Sequence, residues 1–373
     1  MTSLPSDERH AMLALTCTPH VGVIVGQRLV RELGTARAVY EHRTELPELI
    51  PEVRPSLVEA LDCPEALRRA EEELAYIEKT HIRCLTFTDE AYPARLRECE
   101  DAPLFLHGLG NVDFNVRHVV SIIGTRHATE YGKELCAAFV RDLARLCPDL
   151  LIVSGLAYGI DVAAHRAALA EGVPTVGVLA HGLDRIYPAV HRNVAAQMVR
   201  QQGCGLLTEY MSGTQPDRQN FIQRNRIVAG LADATVVVES AKKGGALITA
   251  EMAIGYGRDC LAFPGRVGDE YSCGCNNLIR SNAAGLITSA EDFLQVMGWE
   301  TAGTEDTPVQ GQLFIDAELD KDERKIMAIL RKADDNVHIN TLVLETSIPY
   351  SRLTTILFNL EMKGLVRALP GSS

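Results

Sequence analysis

Two kinds of hydrophobic pattern divide the chain. Up to about residue 80, apolar side chains recur at helical spacing in 12–18, 26–33 and 67–77, interrupted by Pro47, Pro51 and Pro55, which predicts short amphipathic helices. From residue 117 the pattern changes to short β-branched runs alternating with amphipathic stretches. Runs at 119–123, 150–153, 175–179, 205–208, 235–238 and 260–263 predict strands, and 129–146, 160–170, 189–201, 223–229 and 246–256 predict the helices between them. Strands that are apolar throughout have both faces covered. The pattern therefore predicts an α/β fold, a doubly wound parallel sheet of Rossmann type.

The same reading divides the chain into a helical domain (1–80), a connector holding Tyr92-Pro93 and Asp101-Ala102-Pro103 (81–112), a Rossmann-like domain (113–300), a linker (301–320) and a last domain (321–373). In the last, helices at 322–332, 339–344 and 350–363, with Leu365-Val366-Arg367 as a wing, predict a winged helix. Its third helix offers Arg352 and Lys363 but also Glu361, so DNA reading and protein contact both fit. In the first domain Gly22 and Gly26, followed by Leu29, Val30 and Leu33, fit a helix-hairpin-helix (or SAM-like) module or a plain helical bundle. Residues 1–112 carry 12 Lys and Arg against 19 Asp and Glu, which favours the bundle, because phosphate binding needs cations.

Composition narrows the functional classes. With 46% hydrophobic and 23% charged residues, 373 residues suit two or three globular domains. No apolar run approaches the roughly 18 residues that span a bilayer. The start, Asp7-Glu8-Arg9-His10, lacks the basic and apolar regions of a leader, so a cytoplasmic protein without membrane contact is expected. Ten cysteines are scattered, and only Cys273 and Cys275 lie close together, with no second pair at zinc spacing. Neither disulfides nor a metal is expected. The net charge is −12, yet residues 113–300 carry 17 basic against 19 acidic groups. Positive charge there can be focused locally even though no general basic coat exists.

In open parallel sheets, ligands bind beyond the carboxyl ends of the strands, where helix N-termini present free amides. Three segments fall at such places: Gly124-Thr125-Arg126, Ser154-Gly155-Leu156-Ala157, and Lys242-Lys243-Gly244-Gly245. Any one alone reads as simple chain reversal; together they suggest a row of anion sites. A fourth segment, Phe221-Ile222-Gln223-Arg224-Asn225-Arg226, suits phosphates and a stacked base. It equally suits a structural reading, with Phe221 in the core and the arginines paired to Glu209 or Glu239. Neither a Walker loop nor a G-x-G-x-x-G fingerprint is present. Ser154, Asp161 and His165 lack a nucleophile elbow, and His127, His181 and His191 are dispersed. Neither cofactor nor catalysis is expected.

These residues resemble the DprA (Smf) family of DNA-processing proteins. The resemblance is carried by Ser121 to Arg126, Tyr131-Gly132, Val153 to Asp161 with Ala164-His165, Gly182-Leu183-Asp184 with Tyr187-Pro188, Thr208-Glu209, Phe221 to Arg226, Leu247 to Ala250, and Phe263-Pro264-Gly265. It implies a non-catalytic protein that binds single-stranded DNA, dimerises through its Rossmann core and loads the RecA recombinase during natural transformation. Carried over residue by residue, it implies DNA contacts from Gly124, Thr125, Arg126, Ser154, Gly155, Phe221, Arg224, Asn225, Arg226, Lys243, Gly244 and Gly245. The chain departs from the family's pattern where Gly244-Gly245-Ala246 stands for S-G-S, Ile222 for a proline, and Cys275 for the threonine of a G-T-N turn. Two other classes of function remain open to the sequence. A nucleoside-monophosphate hydrolase of the lysine-decarboxylase-like Rossmann group uses P-G-G-x-G-T-x-x-E, whose spacing fails at Thr249 and Glu251. A protein adaptor would touch DNA only incidentally.

Overall fold

The computed structural model describes residues 5–51, 53–300, 319–330, 337, 339–346, 348–362 and 365–366. They fall into two compact units, 1–302 and 303–373.

The first unit is built on nine strands: β1 (Arg83–Thr86), β2 (Phe105–Gly110), β3 (His118–Ile123), β4 (Leu150–Ser154), β5 (Thr175–Val178), β6 (Gly205–Thr208), β7 (Ala234–Val237), β8 (Asp259–Ala262) and β9 (Gly285–Leu286). Their order is β1-β2-β6-β5-β4-β3-β7-β8-β9. All pairings are parallel except β1 with β2 and β2 with β6. The doubly wound, mostly parallel sheet expected from the strand pattern is present. Every position of β3 to β7 is buried, so helices cover both faces. Along β3 the pleat sends Val119 and Ile123 into one core and Val120 and Ile122 into the other. On the second face, Phe139 from helix Glu130–Leu146 packs edge-on against Phe263 and Phe293, at 5.3 and 5.6 Å.

Residues 81–112, expected as a connector, instead supply β1 and β2 and extend the sheet antiparallel beyond β6. Their stretches are short and glycine-bearing, so alternation is invisible in the sequence. Gly110, at φ +97, marks the join: a Cβ there would run into the Cys204 carbonyl.

Helices Glu8–Cys17, Val23–Leu33 and Pro64–Thr80 share one core with the sheet; Met12, Leu29 and Leu67 lie in the same cluster as Phe105, Val119 and Leu231. Gly26 belongs to that packing, since a Cβ on it would sit 2.7 Å from the Leu104 methyl. It is therefore a close-approach glycine inside a bundle, not one offering its amide to DNA. A buried polar knot ties helix Pro64–Thr80 to the loop after β6. Glu73 accepts from the Ser212 amide and hydroxyl (2.9 and 2.5 Å) and from Arg69 (2.9 Å), with His107 at 3.3 Å. Burial opposes its ionisation, but His107 and the two Ser212 donors outweigh it and hold its pKa at about 2.

All ten cysteines are free. Burial pushes the Cys136, Cys260 and Cys275 thiols up to about 12, so they serve as small apolar side chains.

In the second unit, helices Lys321–Leu330, Ile339–Thr346 and Tyr350–Met362 close around Ile326, Leu342, Leu353 and Leu360. Arg352 is paired with Asp322 at 2.6 Å. Of the expected linker, 301–318 lies outside the described residues. So do Lys363 and, in the expected wing, all but Leu365 and Val366.

Candidate functional site

The strand order reverses at β3: β4, β5 and β6 follow on one side, β7, β8 and β9 on the other. Loops leaving β3 and β7 therefore diverge, opening the crevice where α/β sheets bind ligands. A cleft of about 450 Å³ lies there, lined by residues of all four segments singled out above.

The β3 loop is fixed by its backbone. Thr125 donates its amide to the Glu239 carbonyl (2.7 Å) and accepts from the Ile160 amide (3.3 Å). Gly159, at φ +77, lets the β4 loop press against it, because a Cβ there would meet the Thr125 carbonyl. Behind the loop, buried Glu239 accepts from the Thr129 amide (2.9 Å) and hydroxyl (2.6 Å), and its carboxylate fills the space a side chain on Gly132 would need. Arg126 is left exposed. Its guanidinium lies 5.1 Å from the centre of the Phe221 ring, and it pairs with no carboxylate among the described residues.

The β4 loop does not act as expected. Ser154 is fully buried and its hydroxyl donates to the Ile122 carbonyl at 2.6 Å. The Gly155 amide is directed at Asp161 (3.2 Å), as is that of Ala157 (3.4 Å). Both groups expected to meet an anion are thus committed to the fold, although the Gly155 backbone lines the cleft. Asp161 is held above the usual carboxylate range by burial, against the pull of Arg224.

Helix Arg218–Gly230 separates the two arginines of the fourth segment, since residues two apart on a helix face different ways. Arg224 is buried beneath the cleft, donating to the Gly155 and Val178 carbonyls. Burial lowers its pKa to about 10, still cationic at neutral pH. It is a fixed charge under the floor rather than a mobile hand. Arg226 points to the opposite side and is spent on Glu209 and the Asp101 carbonyl; it does not line the cleft, and the structural reading holds for it. Phe221 stays half-buried at the mouth, with Tyr187 at 5.6 Å, and Asn225 reaches the Gly245 carbonyl at 3.4 Å.

The β7 loop brings Lys243, Gly244 and Gly245 to the cleft. Lys242 and Lys243 are exposed and pair with no carboxylate among the described residues. Helix Gly245–Gly255 begins behind them with Gly244 as an N-cap that no side chain satisfies. Its first amides and its dipole therefore face the cleft uncompensated.

Sequence reasoning missed His127 and Tyr271, whose rings stack at 6.2 Å across the cleft mouth, and Glu270 beside them. Nothing in the sequence joins positions so far apart. The Ser154–Asp161–His165 arrangement is not assembled. His165 lies 2.8 Å from the Thr175 hydroxyl, and burial pushes it down to about 3.

A family model described as DNA recombination-mediator protein A matches residues 83–298, and one described as the DprA winged helix domain matches 315–372. Protein Smf of Escherichia coli K12 is 31% identical over 302 residues, 81% of this chain and 79% of that one. A Mycobacterium tuberculosis relative is 41% identical over 256 residues, 64% of each chain, so the match spans slightly less than two thirds of that relative. Among solved structures, DNA processing protein A from Streptococcus pneumoniae aligns with TM-score 0.61 and 30% identity, over 79% of this chain and 98% of that one. The Helicobacter pylori protein, described for its single-stranded DNA binding mode, aligns with TM-score 0.51 and 29% identity, over 58% and 97%.

Proposed function

The chain belongs to the DNA recombination-mediator protein A (DprA/Smf) family, and from that premise we propose that it binds single-stranded DNA without sequence preference and without chemistry of its own. The observation that carries this reading is the junction at the strand reversal. Arg126 over Phe221 faces Lys243 and an uncapped helix N-terminus across a cleft of about 450 Å³. Cations and free amides attract phosphates, and the Phe221 ring offers a face to any base, since every base has a π surface. Duplex binds less well, because its bases are already stacked.

The acting set is narrower than the family pattern suggests. Arg126, Lys243, Gly244 and Gly245 meet phosphates, Phe221 meets a base, and Gly124, Thr125, Gly155 and Asn225 shape the walls. Arg224 contributes its field from below. Ser154 and Arg226 hold the fold. The decisive experiment is a gel-shift titration of single- and double-stranded oligonucleotides at two ionic strengths, with Arg126→Ala and Lys243→Ala beside the parent. Each lost phosphate contact lowers the single-strand salt slope by about 0.7. Unchanged affinity and slope in both variants sink the assignment.

Delivery of the bound strand to RecA, dimerisation through the sheet-bearing unit, a cytoplasmic setting and a role in natural transformation follow from family membership as proposals. RecA capture by the immobilised chain and the mass of the unit in solution test the first two. The nucleoside-monophosphate hydrolase reading is disfavoured by the placement of Thr249, which donates to the Gly245 carbonyl at 3.1 Å, and of Glu251, which is exposed and does not line the cleft. Release of adenine from AMP would restore it.

A further inference from the structure

Beyond the cleft, the rim of the sheet carries a second set of groups suited to an unpaired strand. From residue 185 to 208 the chain has three arginines and no Asp or Glu. One of them, Arg185, is paired with Asp184. The other two stand at the ends of helix Arg192–Arg200, exposed and paired with no carboxylate among the described residues; Arg192 begins the helix at the rim, whereas Arg200 ends it near the start of β6, at the far edge. Leading to Arg192 are two half-exposed aromatic rings. Tyr158, in the loop after β4, packs against His191 at 5.2 Å; Tyr187, in the loop after β5, packs against Phe221 at 5.6 Å. Their exposures, 45% and 44%, leave a face of each ring in water. Neighbouring strands lie about 4.8 Å apart, so the loops after β7, β3, β4 and β5 follow one another along the carboxyl rim.

Building on the proposed single-strand binding, we infer that the polynucleotide does not end at Phe221. It continues along this rim, with Tyr187 and Tyr158 as further stacking faces and Arg192 as the next phosphate contact. The backbone positions these groups independently of the DNA. The His191 ring is held by its bond to the Leu156 carbonyl (2.9 Å), and the Tyr187 amide donates to His181 at 3.2 Å. No carboxylate interrupts the chain from Arg185 to Thr208, and Asp184 just before it is taken up by Arg185 and the Gly213 amide, which eases the advance of a polyanion on a molecule that is otherwise acidic.

The test compares oligo-dT long enough to cover the rim, about 16 nucleotides, with one of about 4 that fills only the cleft. Binding is measured by fluorescence anisotropy on the full chain, with thermal melting to confirm folding. Tyr187→Ala and Tyr158→Ala each weaken the long oligonucleotide by at least about fivefold, and Tyr187→Phe restores it. Arg192→Glu weakens the long one and reduces its salt slope by at least about 0.7. The short one is unaffected by Arg192→Glu and Tyr158→Ala. Long-oligonucleotide binding unchanged in all three variants, while Arg126→Ala still abolishes it, overturns the rim path and leaves the cleft intact. Loss of nothing on Arg126→Ala overturns the cleft itself.

Discussion

Arg126 stands in solvent with its guanidinium 5.1 Å from the Phe221 ring, while Arg226 is enclosed by Glu209 and the Asp101 carbonyl. The two should therefore fail differently. Arg126→Ala leaves melting unchanged and weakens oligonucleotide binding. Arg226→Ala strands Glu209, whose pKa burial already raises, and costs about 3–5 kcal/mol of stability, read by urea denaturation. Gly132→Ala pushes a methyl into the Glu239 carboxylate and costs about 1–3 kcal/mol. His165 adds a pH signature. Its folded pKa of about 3 lies below the ordinary 6.5, so the unfolded chain takes the proton first. Stability from this residue is complete above about pH 6.5 and drains away as pH falls toward 3. In His165→Gln the melting temperature declines less steeply on acidification from neutral pH. The basic motif was legible in the sequence as candidate chemistry, but which arginine faced the cleft was not. Helical phase names two faces without saying which one the protein covers.

At the scale of elements, helix Arg218–Gly230 has Arg224 and Asn225 on the cleft and Arg226 on the acids behind, so one helix both shapes the site and locks the sheet. Helix Pro64–Thr80 is locked from the other side through Glu73. That carboxyl has a folded pKa of about 2 against an ordinary 4.5, so its contribution is present above about pH 4.5 and is lost as pH falls toward 2. Glu73→Gln removes that acid-side loss and lowers stability at neutral pH, seen by following melting between those limits. The parallel strands were readable because double burial makes them apolar throughout. β1 and β9 were not, being short edge elements, and neither was β2, whose two glycines break the apolar run and whose antiparallel pairing depends on distant partners.

For the whole molecule, a charge of −12 is compatible with the proposed single-strand binding because Arg126, Lys243 and a helix N-terminus are gathered at one cleft. With Arg126 and Lys243 as the cationic contacts of the cleft, about two phosphates are neutralised, and the logarithmic salt slope for a short oligonucleotide is about −1.4. A much steeper slope would mean cations elsewhere take part. The two units are separately compact, and the exposed Arg352 is already paired with Asp322. The α/β class, the helical flanks and the identity of the glycine- and cation-bearing loops were determined by the sequence itself, because periodicity and turn chemistry are local. Which loops meet at the strand reversal, that His127 and Tyr271 join them, and that Ser154 and Arg226 turn inward were decided only by the tertiary structure. Strand order and burial arise from contacts between residues far apart in the chain, and no local pattern encodes them.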